Sequence, residues 1–216
     1  YDVIRPALDG TRRVMEAAAR AGIPRVVVTS SIAAVLNPKG KDPAELFTAA
    51  DWTDAGNPQV RAYARAKTLA EREARRIADE AGLRLATLNP GVVFGPPLGG
   101  GVSSSLALID RLLKGRDPLL PRLNIPCVTV ADVAEAHLRA LEAGDGPRIL
   151  MVADSVPLQE IAGLVRQAVP GARAARLVAP DWLVRLAARV SPSVRAAAGG
   201  LGRAERVETE TAEALL

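Results

Sequence analysis

Two apolar runs flank one long helical stretch, and that arrangement limits the fold more than any other feature of the chain. Pro24-Arg25-Val26-Val27-Val28-Thr29-Ser30-Ser31 is a continuous β-branched run bounded by Pro and Ser. This is the pattern of a central parallel strand covered on both faces. Leu83 to Leu88 reads as a second strand. Between them, Val60 to Glu80 contains neither Gly nor Pro and alternates apolar and charged residues at helical spacing, with Gly82 as its stop. Parallel neighbours need a crossover of this kind, so the order strand–helix–strand predicts an α/β fold. The first strand ends at Ser30-Ser31, and ligands sit at the carboxyl ends of strands in open α/β sheets.

The flanking segments extend this picture. Val3 to Ala21 reads as a helix with the apolar stripe Val3, Ile4, Leu8, Val14, Met15, Ala18 and Ala19, closed by Gly22. Leu36 to Pro58 reads as loop, with Asp51-Trp52-Thr53-Asp54 as a local anchor, and Asn89 to Pro96 as a bent, Gly/Pro-punctuated segment. Gly99-Gly100-Gly101 then leads into an amphipathic helix, Ser103 to Lys114. A strand at Cys127–Val130 precedes a helix that Asp132 caps or opens and that runs to about Ala143. A strand at Ile149–Val152 and helices at Leu158–Ala168, Pro180–Val190 (carrying Trp182) and Glu210–Leu216 complete the expected order. Two strands apolar on both faces do not make a self-sufficient doubly wound sheet, and the chain opens inside a helix. Roughly a hundred residues of βαβ structure are therefore expected upstream. Neither Gly99–Gly101 nor Gly200-Leu201-Gly202 has the strand–turn–helix setting of a dinucleotide-binding loop.

Composition excludes several function classes. The 216 residues are 49% hydrophobic but only 3% aromatic, so the core must be built from Ala, Val and Leu. The net charge of +4 is spread along helices as Arg interleaved with Ala and Glu, which is a solvated face and not a nucleic-acid patch. The lone Cys127 rules out an internal disulfide framework and a Cys-based zinc site, and fits a reducing cytoplasm. No apolar run reaches the ~18 residues of a membrane span.

Within the long helical stretch, Tyr63 and Lys67 are one turn apart on one face. Tyr63 is one of two tyrosines, and Lys67 one of four lysines in a chain that otherwise uses Arg. Lys is a compact point charge where Arg is a planar fork. A phenol, with an ordinary pKa of about 10, is a poor acid or base near neutrality, and a neighbouring cation favours its ionised form. Such a pair can act as general acid or base toward a carbonyl or alcohol. The spacing alone is common by chance and equally describes a surface Tyr beside an incidental Lys.

Several segments, in matching order and spacing, give the pair a context. Pro6–Val14, Arg25–Val35, Phe47–Asp54, Tyr63–Glu71, Asn89–Pro96, Val128–His137 and Pro180–Ala188 together resemble the extended short-chain dehydrogenase/reductase superfamily. Within it they are most similar to the NAD-dependent epimerase/dehydratase type and its dihydroflavonol-reductase- and aldehyde-reductase-like branch. Arg65-Ala66 departs from that branch, where an aromatic or aliphatic residue followed by Ser is usual. Ala7 stands where the classical family has a fourth catalytic Asn, so a relay through that group is absent.

The resemblance implies a Rossmann-like doubly wound parallel sheet over residues 1–98, its N-terminal βαβ part missing. A smaller mixed substrate lobe would span 99–216, with the strand and helix of 127–143 returning to the first part. It implies catalytic roles for Ser31, Tyr63 and Lys67, and cofactor contacts from Lys67, Pro90, Val93 and Ser105, with NAD or NADP as cofactor. Ser30 remains the alternative to Ser31, and Asp132 and His137 read as cap and packing residues. The implied activity is hydride transfer between a nicotinamide cofactor and an aldehyde, ketone or dihydroflavonol-like carbonyl, in a cytoplasmic enzyme that forms a homodimer through the Tyr63 helix and its predecessor. A nucleotide-sugar epimerase or dehydratase, a non-catalytic cofactor sensor, and a fragment unable to cradle the pyrophosphate are the competing readings.

Overall fold

The computed structural model describes residues 2–97, 99, 103–143, 146–203 and 205–216. Gly100 and Gly101 of the expected glycine run lie outside them. Helix α1 (Ile4–Arg20) leads into β1 (Arg25–Thr29), a 3-10 turn at Ile32–Ala34 and the two-residue strand β2 (Leu46–Phe47). Helix α2 (Ala62–Ala81), β3 (Arg84–Pro90), β4 (Val92–Phe94) and α3 (Ser104–Leu113) follow. Then come β5 (Asn124–Thr129), α4 (Val130–Glu142), β6 (Arg148–Met151), β7 (Asp154–Pro157) and α5 (Leu158–Ala168). Helices α6 (Asp181–Ala187) and α7 (Pro192–Ala198), β8 (Arg206–Val207) and α8 (Glu210–Leu215) end the chain.

The first sheet is parallel in the order β1-β3-β6, with Arg25 opposite Arg84 and Thr87 opposite Arg148. Helices cover both faces. On one side α1 and α2 enclose Met15, Ala74, Ile77, Ala78 and Leu85. On the other, α4 and α8 enclose Ala86, Leu88, Val133, Ala136, Ile149 and Met151. Leu85 and Leu88 point to opposite faces, as the two-residue period of a strand requires. The second sheet runs β4-β5-β7, with β4 and β5 parallel and β7 antiparallel. Gly91 links the two sheets. Its N–H donates to the Met151 carbonyl at 3.0 Å, and a Cβ there would fall 2.4 Å from the Pro126 carbonyl oxygen. Only a residue without a side chain lets the chain leave one sheet and enter the next so closely.

The structure corrects several boundaries. Helix α4 opens at Val130, and Thr129 caps it by accepting the Asp132 N–H at 3.1 Å, so Asp132 lies inside the helix and not at its cap. The strand before it ends at Thr129 and starts earlier, at Asn124. The apolar helix expected over Pro180–Val190 stops early, at Ala187, and a separate short helix, not expected from the sequence, begins at Pro192, whose ring supplies no N–H to the preceding turn. Trp182 is 67% exposed and so adds little to the core. Strands β2, β7 and β8 are too short or irregular to show a period in the sequence. Within 99–216, α4, β6 and α8 pack into the first sheet, while β5 pairs with β4 and β7 in the second.

Helices α1 and α2 are also joined by charge. Glu73 accepts hydrogen bonds from Arg76 within α2 and from Arg12 Nε on α1, each at 2.9 Å. The Arg76 bonds first, and the Arg12 bond second, hold the Glu73 carboxyl down at about 2. A carboxyl depressed by folding stabilises the native state above its ordinary value near 4.5 and loses that contribution as pH falls toward 2. Thermal melts of the natural protein should therefore show Glu73→Gln less stable than wild type at pH 7, with the gap closing between pH 4.5 and 2. A gap that is constant across this range would contradict the ion-pair account.

Candidate active site

The site lies where β1 and β3 end beside α2. Ser30 extends the β1–β3 ladder, its N–H donating to the Leu88 carbonyl at 2.7 Å. Its hydroxyl turns inward and donates to Glu71 Oε2 at 2.5 Å. Ser31 is extended backbone and caps the 3-10 turn, its Oγ accepting the Ala33 N–H at 3.2 Å. Among the described residues the Ser31 hydroxyl has no acceptor, so its proton is free for another group. The structure thus separates two serines that the sequence left equivalent: Ser30 is committed to the core, and Ser31 keeps a proton to give.

Helix α2 carries the other two residues. Nothing in it breaks a helix, and Gly82 ends it at φ 67°, a conformation that costs glycine little. Along this helix, Tyr63 is 53% exposed in the first turn, Lys67 is half-buried one turn on, and Glu71 is 1% exposed one turn further. Neither the Tyr63 hydroxyl nor the Lys67 ammonium has a partner among the described residues. The Ile32–Ala34 turn after Ser31 packs on α2, and Ser30 before it is bonded to α2, so Ser31 is held against this helix from both sides.

Glu71 is the residue that sequence reasoning missed. Besides Ser30, it accepts from Asn89 Nδ2 at 2.7 Å, Thr87 Oγ1 at 3.2 Å and Arg148 Nε at 2.6 Å. Asn89 Nδ2 also donates to the Ser31 carbonyl at 3.1 Å. Arg148 spreads the network further, donating to the Ala49 and Asp51 carbonyls at 2.8 and 2.5 Å and stacking 3.7 Å from the Trp52 ring centre. Arg72 approaches the same ring at 5.1 Å. The Asp51–Asp54 anchor expected from the sequence is therefore real, and Arg148 is what it is tied to. Thr53 adds a bond of 2.8 Å to the Ala33 carbonyl, just beyond Ser31. Burial alone would raise the Asp51 carboxyl. The Lys41 ammonium at 2.6 Å and the Thr48 N–H outweigh it and leave the group below the usual range. A detectable signal existed: Leu85, Thr87 and Asn89 alternate on one face of β3, and the two polar members demand a buried partner.

The expected cofactor positions fall in two places. Val93 and Ser105 line one open groove of about 520 Å³ with Gly95, Pro96, Leu106 and Val130. Pro90 is buried at the end of β3, and neither it nor Lys67 lines that groove. His137 bridges elements: Nδ1 donates to the Val133 carbonyl at 2.7 Å, and Nε2 lies 2.7 Å from Thr29 Oγ1. That ties α4 to β1 and leaves the ring no free nitrogen, in keeping with a packing role. Cys127 is half-buried; burial first, then Asp154, raises its thiol, against a hydrogen bond from Val156. Among the described residues no group of three His, Cys, Asp or Glu could hold a metal ion.

A doubly wound sheet with polar side chains gathered at its strand ends defines an α/β protein with a ligand site at that edge. The particular family follows from comparison. Residues 1–153 match the model described as NAD dependent epimerase/dehydratase family, and the chain belongs to that family. Cinnamoyl-CoA reductase 1 of Arabidopsis thaliana is 35% identical over 155 residues, covering 71% of this chain and 45% of that protein. Tetraketide alpha-pyrone reductase 2 of the same plant is 34% identical over 176 residues, covering 78% and 54%. The crystal structure of Gre2 from Candida albicans with NADPH superposes with a TM-score of 0.73 at 27% identity, covering 97% of this chain and 64% of that one. The chain spans about half the length of the curated relatives it matches. These relatives are reductases, as the resemblance to the dihydroflavonol- and aldehyde-reductase-like branch implied.

Glu71 and Arg148 are both buried, and removing Arg148 leaves the carboxylate facing only the more distant Arg75 Nε at 3.8 Å. Arg148→Met should cost about 3–5 kcal/mol in urea unfolding of the natural protein. A loss under about 1 kcal/mol would mean that the pair is dispensable.

Proposed function

We propose that the protein is an NAD(P)H-dependent reductase of a small carbonyl compound, an aldehyde, ketone or dihydroflavonol-like molecule, with Ser31, Tyr63 and Lys67 as its catalytic residues. The observation that carries this reading is the pairing of an exposed Tyr63 hydroxyl and an unpartnered Lys67 ammonium, one turn apart, on the helix that also grips the strand end bearing Ser31. The nicotinamide, when bound, supplies the hydride. Tyr63 gives its proton to the substrate oxygen, and the adjacent Lys67 charge stabilises the phenolate left behind. Ser31, already accepting from Ala33, donates a hydrogen bond to the same substrate oxygen without losing its proton and fixes the direction of that oxygen.

The donor set fits the nicotinamide end of such a cofactor. Lys67 is free to hold ribose hydroxyls. The groove of Val93, Gly95, Leu106 and Val130 offers apolar walls for a flat ring, with Ser105 as a polar contact. At Gly95 a Cβ would lie 2.2 Å from Val130 Cγ1, so a side chain there would press into the groove wall. Pro90 would act from beneath, fixing the turn into Gly91. We assign the protein to the cytoplasm and to a homodimer through the outer faces of α1 and α2, where Val14 is 67% exposed. A single-protomer mass in sedimentation would remove the dimer.

The test is NADH and NADPH oxidation by the natural protein over a carbonyl panel, with UDP-sugars as a second arm. Turnover should fall by about 10²–10⁴ in Tyr63→Phe. Lys67→Arg should also lose most activity, because a planar fork does not replace a point charge. Turnover that survives Tyr63→Phe defeats the proposal. Sugar conversion without net cofactor consumption would favour an epimerase or dehydratase instead.

A further inference from the structure

We infer that Glu71 is a positioning residue: it sets the direction of the Ser31 hydroxyl by holding the two groups that bracket it. This rests on the catalytic roles proposed above for Ser31, Tyr63 and Lys67. Glu71 is almost wholly buried and cannot touch substrate. Its Oε2 accepts from the Ser30 hydroxyl at 2.5 Å and from Asn89 Nδ2 at 2.7 Å. The Asn89 amide then reaches the Ser31 carbonyl at 3.1 Å. One carboxylate oxygen therefore fixes the residue before Ser31 and, through Asn89, the peptide after it. Oε1 is held from the other side by Arg148 Nε at 2.6 Å and Thr87 Oγ1 at 3.2 Å, so the carboxylate itself cannot turn.

The placement of Glu71 on α2 gives this grip its meaning. Glu71 lies one turn from Lys67 and two from Tyr63, on the same rigid helix. The strand end carrying Ser31 is thereby referenced to the element carrying the other two groups. Asn89 also leads directly into Pro90, so the same carboxylate references the end of β3. The bonds from Ser30 and Asn89 fill the hydrogen-bonding capacity that Arg148 leaves open on the carboxylate, and they also determine where Ser31 points. Misplacement by about 1 Å in such a site can cost up to about 10²-fold in rate.

The decisive variant is Ser30→Ala in the natural protein, since it removes one positioning bond and leaves the Glu71–Arg148 pair intact. Glu71→Gln serves as the stronger perturbation where it folds. Rates are read per folded molecule, with the folded fraction taken from near-UV circular dichroism. We expect kcat to fall about tenfold in Ser30→Ala, with the cofactor KM unchanged within about twofold and the limbs of the pH–rate profile unmoved. In a Ser31→Ala background the further effect of Ser30→Ala should vanish, because it acts through Ser31. A wild-type kcat in Ser30→Ala overturns the inference, as does a loss that persists in full in the Ser31→Ala background. Both outcomes leave the proposed activity standing. Absence of any carbonyl turnover in the wild type would overturn that activity and this inference together.

Discussion

A single buried carboxylate and the guanidinium that faces it organise the middle of this protein. Glu71 on α2 and Arg148 on β6 are far apart in sequence and meet at 2.6 Å in the interior. Two charges withdrawn from water are costly unless their remaining hydrogen-bonding capacity is filled. Here it is filled by Ser30, Thr87 and Asn89 around the carboxylate, and by the Ala49 and Asp51 carbonyls around the guanidinium. An apolar cluster in the same volume would hold these elements together but would not orient them, because dispersion has no preferred direction and hydrogen bonds do. Strand ends, helix and anchor loop are therefore fixed in angle as well as in distance.

The alanine-rich interior makes this necessary. With aromatics at 3% of the chain, the layer between α2 and the sheet is formed by Ala74, Ala78 and Ile77 against Leu85. Small side chains let the helix lie close to the strands but interlock weakly, so register along the helix axis must come from elsewhere. Glu71 supplies it near the site, and the Glu73 bond from Arg12 on α1 supplies it on the outer side. Further from the site, Gly91 lets β3 run into β4 against the Pro126 backbone, and the groove of Val93 and Ser105 opens beyond that turn. The strand ends and the groove are thus positioned by different devices, a charged network and a close backbone approach.

Much of this was readable from residues in order. The β-branched run at Val26–Val28, the uninterrupted helix after Val60 and its stop at Gly82 carry strong local periodicity, and the structure follows them within a residue or two. Helix α5 agrees with its expected ends at Leu158 and Ala168. Where local signals compete, reading failed. Thr129 and Asp132 are both good caps, and only the turn geometry selects Thr129. Two-residue strands such as β2 and β8 contain no period at all, and they pair because the chain brings Phe47 and Val207 together over a long loop closure. The Pro180–Val190 stretch keeps its apolar and charged residues at helical spacing to its end, so its pattern could not reveal that the helix stops at Ala187.

The candidate site divides along the same line. Tyr63 and Lys67 share a helix face because 3.6 residues make a turn, which any reader of the sequence can compute. Ser30 and Ser31 are chemically identical neighbours, and no local rule says which hydroxyl turns inward. That choice belongs to Glu71, Asn89 and Arg148, whose meeting depends on the crossover of α2 and on β6 pairing beside β3. The sequence by itself determined the periodic elements and the spacing of Tyr63 and Lys67, because both follow from backbone geometry over a few residues. Tertiary structure alone decided which serine keeps its proton free and which loop is anchored, because those depend on desolvating charges that meet only when distant strands and helices pack.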